Sequence, residues 1–478
     1  MLFNSVAFAI FLPIVFAIYW ALPHKFRCPI LLISSYIFYM TCNPKYIFII
    51  LFTTAVTYTV ALLLEKCNSE KKKKSVILIA LISCLGLLSF YKYFNFLSTS
   101  IASLLSFFSV KVDPVLLHLI LPIGISFYTF QTLGYVIDVY RGKVKAEKNF
   151  ITYATFVSFF PQLVAGPIAR ANSLLPQIIS EKKFDYDKAT HGLKLMAWGF
   201  FAKLAIADVI AGHVNYIFAN LEVASGFDCA LAIFFYSIQV YCDFSGYSNI
   251  AIGVAELFGI DLMVNFKSPY YSKSIKEFWS RWHISLSTWF RDYLYIPLGG
   301  SRCSKFRHYF NLVLTFMISG LWHGASWNFV IWGTVHGLVQ VIEKLFEAVL
   351  NPFRDKNRFT KIISTLTVFF ICCIVSILIR VSNMSEAIYI IKHAFTGLGD
   401  PATYFATVCN IKLDKQIMLG LTILLLFLYD YFSLTKDVIG WVSSQKVVRR
   451  WAIYVALVFL ILMNAPVSNE TAFVYAQF

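Results

Sequence analysis

Apolar stretches long enough to cross a bilayer recur along this 478-residue chain, and a backbone that crosses hydrocarbon must satisfy its own hydrogen bonds. They lie at about 4–20, 28–42, 46–64, 76–97, 115–140, 190–217, 228–258, 309–345 (read as two passes), 360–381, 416–433 and 451–467. Read as helices, they make roughly 11 or 12 crossings. With 59% hydrophobic and 14% charged residues and a mean hydropathy of +0.69, a soluble globular chain is excluded. The expected fold is an all-α polytopic membrane protein: one membrane-embedded domain over 1–478, with core motifs at about 159–345 and additional C-terminal spans at 360–467.

A net charge of +16 raises the question of nucleic acid, but the basic residues form no compact module. They alternate between loops instead. With the N-terminus outside, the basic loops at 24–27, 65–74, 141–148, 181–194, 267–281, 302–307, 354–361 and 436–450 all face the cytoplasm. That arrangement satisfies the positive-inside bias. The first window has no basic segment before it and no cleavage signal after it, so it is kept as a span. The ten cysteines are scattered, mostly in apolar windows, and predict neither a disulfide framework nor a zinc site. An amphipathic piece at 384–395 is expected on the outer surface, in the weakly hydrophobic stretch 381–415.

Two segments break the pattern of simple spans. In Phe159-Phe160-Pro161-Gln162-Leu163-Val164-Ala165-Gly166-Pro167-Ile168-Ala169-Arg170 the prolines deny a continuous helix its donors, so this backbone must be buried in protein or line a wet cavity. From Lys276 to Gly300 the sequence reads as one helix with Phe278, Trp282, Leu286, Trp289 and Tyr293 on one face, and Ser280, His283, Ser287 and Arg291 on the other. Such a helix either dips into the membrane from the cytoplasmic side, apolar face outward, or lies flat at the interface.

The chemistry concentrates on two histidines. His323 sits in Gly320-Leu321-Trp322-His323-Gly324-Ala325-Ser326-Trp327, deep inside an apolar run. If the helix after Arg307 rises untilted, it stands roughly 20 Å above the cytoplasmic edge. A titratable group there is costly and reads as a working residue. Neutral imidazole accepts a hydroxyl proton near pH 7, as acyl transfer to an alcohol requires. The flanking glycines are expected to admit ligand and backbone, with Trp322 and Trp327 walling the site from water. His283, 40 residues earlier, would position a thioester, polarise its carbonyl or share the proton, in a tunnel walled partly by 278–295.

Further candidate donor-binding residues are Trp282, Ser287, Arg291, Asp292 and Arg302. Arg291 and Asp292 are placed for an ion pair, and Arg302 for a phosphate. Asp243, an acid inside an apolar span, is either paired with an arginine or in contact with substrate. No internal repeat or matched pair of broken helices supports a transporter, which would use Asp243 and the prolines of 161–167 instead.

Taken in order, Val164 to Ile168, Asp243 to Ser248, Phe278 to Ser287, Trp289 to Gly300 and Gly320 to Trp327 resemble the membrane-bound O-acyltransferase family. The resemblance is to its bacterial branch containing the alginate O-acetyltransferase membrane subunit, and more distantly to the membrane protein of teichoic acid D-alanyl transfer. It implies a helical bundle with re-entrant helices around a central funnel or tunnel, His323 as the family's catalytic histidine and His283 as its second motif histidine. It further implies a location in the bacterial cytoplasmic membrane and acetyl-CoA as donor substrate, with no permanently bound cofactor and no metal. The expected partners are the lipid bilayer, an extracytoplasmic acetyltransferase and a surface or exported polysaccharide. In the alternative, an acyl carrier protein supplies D-alanine for a teichoic acid.

Overall fold

The computed structural model describes residues 1–397 and 412–465, and among these there is helix and no strand. Part of the stretch after Val381 and the last two positions of the 451–467 window lie outside the described residues. The protein is an all-helical, polytopic membrane protein. Its contacts divide it into two compact units, one comprising Met1–Gly192 with Ala251–Met263, the other Leu193–Ile250 with the described residues from Val264 onward.

The first unit contains α1 (Val6–Ala21), α2 (His24–Met40), α3 (Ile47–Lys66), α4 (Glu70–Leu88), α5 (Phe94–Phe107), α6 (Ile125–Tyr140), α7 (Phe150–Ser158), α8 (Phe160–Leu163), α9 (Ala171–Ile179) and the start of α10 (Tyr186–Phe200). The window read at 115–140 is helical only from Ile125, because Pro114, Pro122 and a left-handed Gly124 interrupt it. The proline-rich segment is buried in protein, as its backbone demands. The Phe160 amide donates to the Ser35 hydroxyl (3.1 Å), Gln131 donates to the Phe156 carbonyl (2.6 Å), and Gln162 donates to the Gln131 side chain (3.2 Å).

The second unit continues with α11 (Asp208–Ala219), most of α12 (Gly226–Leu257), α13 (Ile275–Arg281), α14 (Ile284–Phe290), α15 (Lys305–His323), α16 (Trp327–Leu345), α17 (Glu347–Asp355), α18 (Arg358–Arg380), α19 (Met384–His393), α20 (Leu413–Ser433), α21 (Val438–Ser443) and α22 (Val447–Asn464). Its core gathers Phe201, Ile206, Ile210, Ile238, Trp279, Trp282 and Trp332, onto which α19 packs Ala387 and Ile390. Among the described residues, seven helices are long and apolar enough to cross a membrane, or eight if α16 and the sharply bent α17 count as one span. The other windows hold helices of 16 or 17 residues (α1, α2, α6) or, in α15, an N-terminal turn carrying Lys305, Arg307 and His308.

Candidate active site

α15 opens on Ser304, whose hydroxyl accepts the Arg307 amide, and ends at His323, after which Gly324 turns extended. At 19 residues it is about 28 Å long, so it carries His323 nearly a bilayer's thickness from its basic start. The glycines beside His323 serve helix contact rather than ligand access. A methyl group on Gly320 would strike the Phe329 carbonyl, one on Gly333 the Phe316 carbonyl, and one on Gly324 the Phe329 ring. α15 and α16 therefore touch backbone to backbone, the close approach that small residues allow in membranes.

The segment from 276 to 300 is not one helix. It breaks between α13 and α14 at His283, which adopts φ 43°, ψ 53° and is fully buried. A left-handed non-glycine residue costs about 1–3 kcal/mol and persists only where its surroundings hold it. Here the chain at 265–267 does so from both sides of the break: the Lys267 amide donates to the Arg281 carbonyl (2.9 Å) and the Ile284 amide to the Asn265 carbonyl (3.0 Å). The aromatic face, expected to point outward, packs inward. Phe278, Trp282, Leu286 and Trp289 are buried, and the Trp282 ring meets Phe266 at 5.0 Å, Phe278 at 5.4 Å and Tyr241 at 6.0 Å.

These two arrangements bring the histidines together. The rings of His283 and His323 lie 6.0 Å apart between centroids, inclined by 54°. Phe244 stands edge-on to His283 at 4.6 Å, while Trp322 and Trp332 stand edge-on to His323 at 5.0 and 5.2 Å. Trp332 meets His336 at 5.1 Å, and the Trp279 indole donates to the His336 Nδ1 (3.3 Å). Among the described residues, no cluster of three or more His, Cys, Asp or Glu is placed to hold a metal ion.

A cavity of about 650 Å³ opens near this centre, lined by Trp279 but by neither histidine. Its inner wall includes Trp279, Ser287 and Ser319, the last on α15 four residues before His323, or about 6 Å of helical rise. Farther out the cations Lys276, Arg291, Lys344 and Arg354 outnumber the acids Glu343 and Glu347. Glu343 pairs with Arg354 and also accepts the Ile275 amide at the start of α13, fixing one wall. On α17, hydrogen bonds from Lys344 and Lys273 hold the carboxyls of Glu347 and Asp355 below their ordinary range. Both are therefore anionic at neutral pH, and Glu347, which lines the cavity, offsets part of its positive charge.

The remaining candidates divide. Ser287 and Arg291 line the cavity, and Arg291 forms an ion pair with Asp292 at 2.8 Å. Arg302 is exposed and is not part of the lining. Trp327 is 60% exposed, and Trp332 takes the place beside His323 expected for it. Asp243 is buried in an ion pair, but with a lysine rather than an arginine: Lys203 Nζ lies 2.5 Å from Asp243 and 2.8 Å from Asp208. Sequence reasoning missed Lys203, Trp332, His336 and Asn265; a cation inside the apolar 190–217 window was the available signal for the first.

Comparison with known proteins settles the class. Residues 145–385, which hold both histidines and the cavity wall, match the model of the MBOAT, membrane-bound O-acyltransferase family. The chain belongs to that family. This MBOAT protein is 40% identical to the probable alginate O-acetylase AlgI of Pseudomonas aeruginosa over 361 residues, covering 74% of the chain and 69% of the relative. It is 34% identical to the peptidoglycan O-acetyltransferase of Helicobacter pylori over 426 residues, 82% and 79% of the two chains. A teichoic acid D-alanyltransferase of Bacillus subtilis is 30% identical over 303 residues, 59% of this chain and 76% of that one. The MBOAT chain is accordingly an acyltransferase enzyme of the O-acetylating kind.

Proposed function

We propose that this enzyme takes acetyl groups from cytoplasmic acetyl-CoA and passes them through the cytoplasmic membrane for O-acetylation of a surface or exported polysaccharide, with an extracytoplasmic acetyltransferase as partner. The observation that carries the reading is the pairing of His283 and His323 close to a cavity rich in cations, whose lining residues Ser287 and Ser319 each stand four residues from one of the histidines. Cations suit the phosphates of a coenzyme thioester, and an aromatic enclosure excludes the water that would hydrolyse it. The N-terminus lies outside in this reading, which places the basic loops and the cavity's charged mouth in the cytoplasm.

In the transfer step His323 removes the proton from the acceptor hydroxyl as its oxygen attacks the thioester carbonyl. His283 polarises that carbonyl or orients the thioester. The carbon–sulfur bond then breaks, and the departing thiolate recovers the proton from His323. A positioned base of this kind is worth ~10² to 10⁴ in rate.

The test uses membranes containing the full chain, given labelled acetyl-CoA or, separately, a D-alanyl carrier protein. Release of label from acetyl-CoA, lost in His323→Ala at normal protein levels, is the expected result. Label leaving the carrier protein alone would assign the chain to D-alanyl transfer. Acetyl transfer retained in His323→Ala would end the proposal.

A further inference from the structure

His283 owes its position to a residue outside the helices it joins. Its left-handed backbone leaves the first amides of α14 pointing away from α13, where the amide groups of a helix start need outside partners. Asn265 supplies them. Its carbonyl accepts the Ile284 amide (3.0 Å), and its side-chain Oδ1 accepts both the Ser285 amide (3.2 Å) and the Ser285 hydroxyl (2.9 Å). Its own Nδ2 donates to the Ser248 hydroxyl of α12 (3.2 Å), one turn beyond Phe244, the ring that stands against His283. Asn265 and Ser285 are fully buried and Ser248 nearly so, so no water competes for these bonds.

Asn265 thus ties three things together: the start of α14, the break that turns His283, and the α12 helix carrying the ring against it. An apolar side chain at 265 would keep the backbone bond to Ile284 but orphan the Ser285 amide and hydroxyl and loosen the turn. We propose that Asn265 is a positioning residue for acyl transfer, holding His283 in the left-handed conformation that directs its ring toward His323. This rests on the reading of the two histidines as the reacting pair. Asn265 itself touches neither ring in that role; it acts through the backbone of Ile284 and Ser285.

Misplacing a reacting group by about 1 Å can cost ~10²-fold in rate, so the effect should fall on turnover. In membranes supplied with labelled acetyl-CoA, Asn265→Ala should lower kcat by about 10² with the donor KM unchanged. Asn265→Asp keeps an acceptor at Oδ1 and, when protonated, a donor to Ser248, and should restore most of the rate. Ser285→Ala, losing one of the bonds, should fall between. In a His283→Ala background Asn265→Ala should cost nothing further, since there is no ring left to place.

Wild-type kcat in Asn265→Ala overturns the proposal, as does an equal loss with and without the His283 ring. If Asn265→Ala does not accumulate in the membrane, Ser285→Ala and Asn265→Asp decide by the same split between kcat and KM: an intermediate kcat in the first with near-normal kcat in the second supports it, and a loss confined to KM overturns it. His323→Ala, run alongside, separates this outcome from failure of the functional reading, because it retains transfer only if the histidines are not the reacting pair.

Discussion

Two of the polar centres buried in the second unit are built in opposite ways. At one, Lys203, Asp208 and Asp243 close on one another, each nearly inaccessible, with the lysine within 2.8 Å of both acids. At the other, His283 and His323 face each other among aromatic rings, and a cavity reaches within a helical turn of His323. The cavity lining comes within four residues of each histidine, at Ser287 and Ser319, and nowhere so near the three charged residues in the chain. The ionic cluster is a fastening between the π-helical turn at Phe201–Ala207 and α12, while in the proposed function the histidine pair is where the acyl group is handled.

That contrast makes its strongest commitment at the two centres themselves. His323→Ala should lower acetyl transfer by ~10² to 10⁴ while the unfolding midpoint in detergent stays at the wild-type value. Lys203→Met should do the reverse, leaving two buried carboxylates uncompensated at a cost of about 3–5 kcal/mol, seen as a lower midpoint and less protein in the membrane. Adding Asp208→Asn and Asp243→Asn should recover much of that loss. A stable but inactive Lys203→Met protein would erase the distinction and make the ionic cluster part of the chemistry.

Smaller effects sharpen the picture around His323. Gly333→Val forces a side chain into the Phe316 carbonyl, and overpacking of this kind costs about 1–3 kcal/mol; thermal unfolding should show it, with a loss of activity as α15 and α16 separate. Smallest is the tryptophan pair. Trp332→Leu removes a ring from His323 and should reduce kcat by about 10-fold, equivalent to ~1.4 kcal/mol of barrier, whereas Trp327→Leu, at an exposed position, should leave kcat unchanged. Equal effects of the two would remove Trp332 from the site.

The sequence made the helical membrane class and the burial of His323 legible, because apolar length and a titratable residue within it are properties of the local chain; for His283 it left a helix dipping into the membrane and one lying flat both open. It also required a partner for Asp243, though not the identity of Lys203, which lies 40 residues away on another helix. The break at His283 left no local trace: neither glycine nor proline stands at Trp282 or His283, and the turn is held by Asn265 from a distant segment. The direction of the aromatic face was equally silent. Lipid and protein interior are both apolar, so a stripe of Phe278, Trp282, Leu286 and Trp289 does not say which of the two it meets. Trp332 was missed for a related reason, since the angle at which α16 crosses α15 depends on the glycines between them rather than on the motif around His323.

Where α15 meets α16 through Gly320 and Gly333, two main chains rest directly on each other, with no layer of rotatable groups in between. Many helix pairs absorb a change of temperature by letting side chains hop between rotamers; at these two glycines there are none to hop. The end of α15 that carries the imidazole at 323 is thus held against α16 by main-chain contact rather than by an average over side-chain packings.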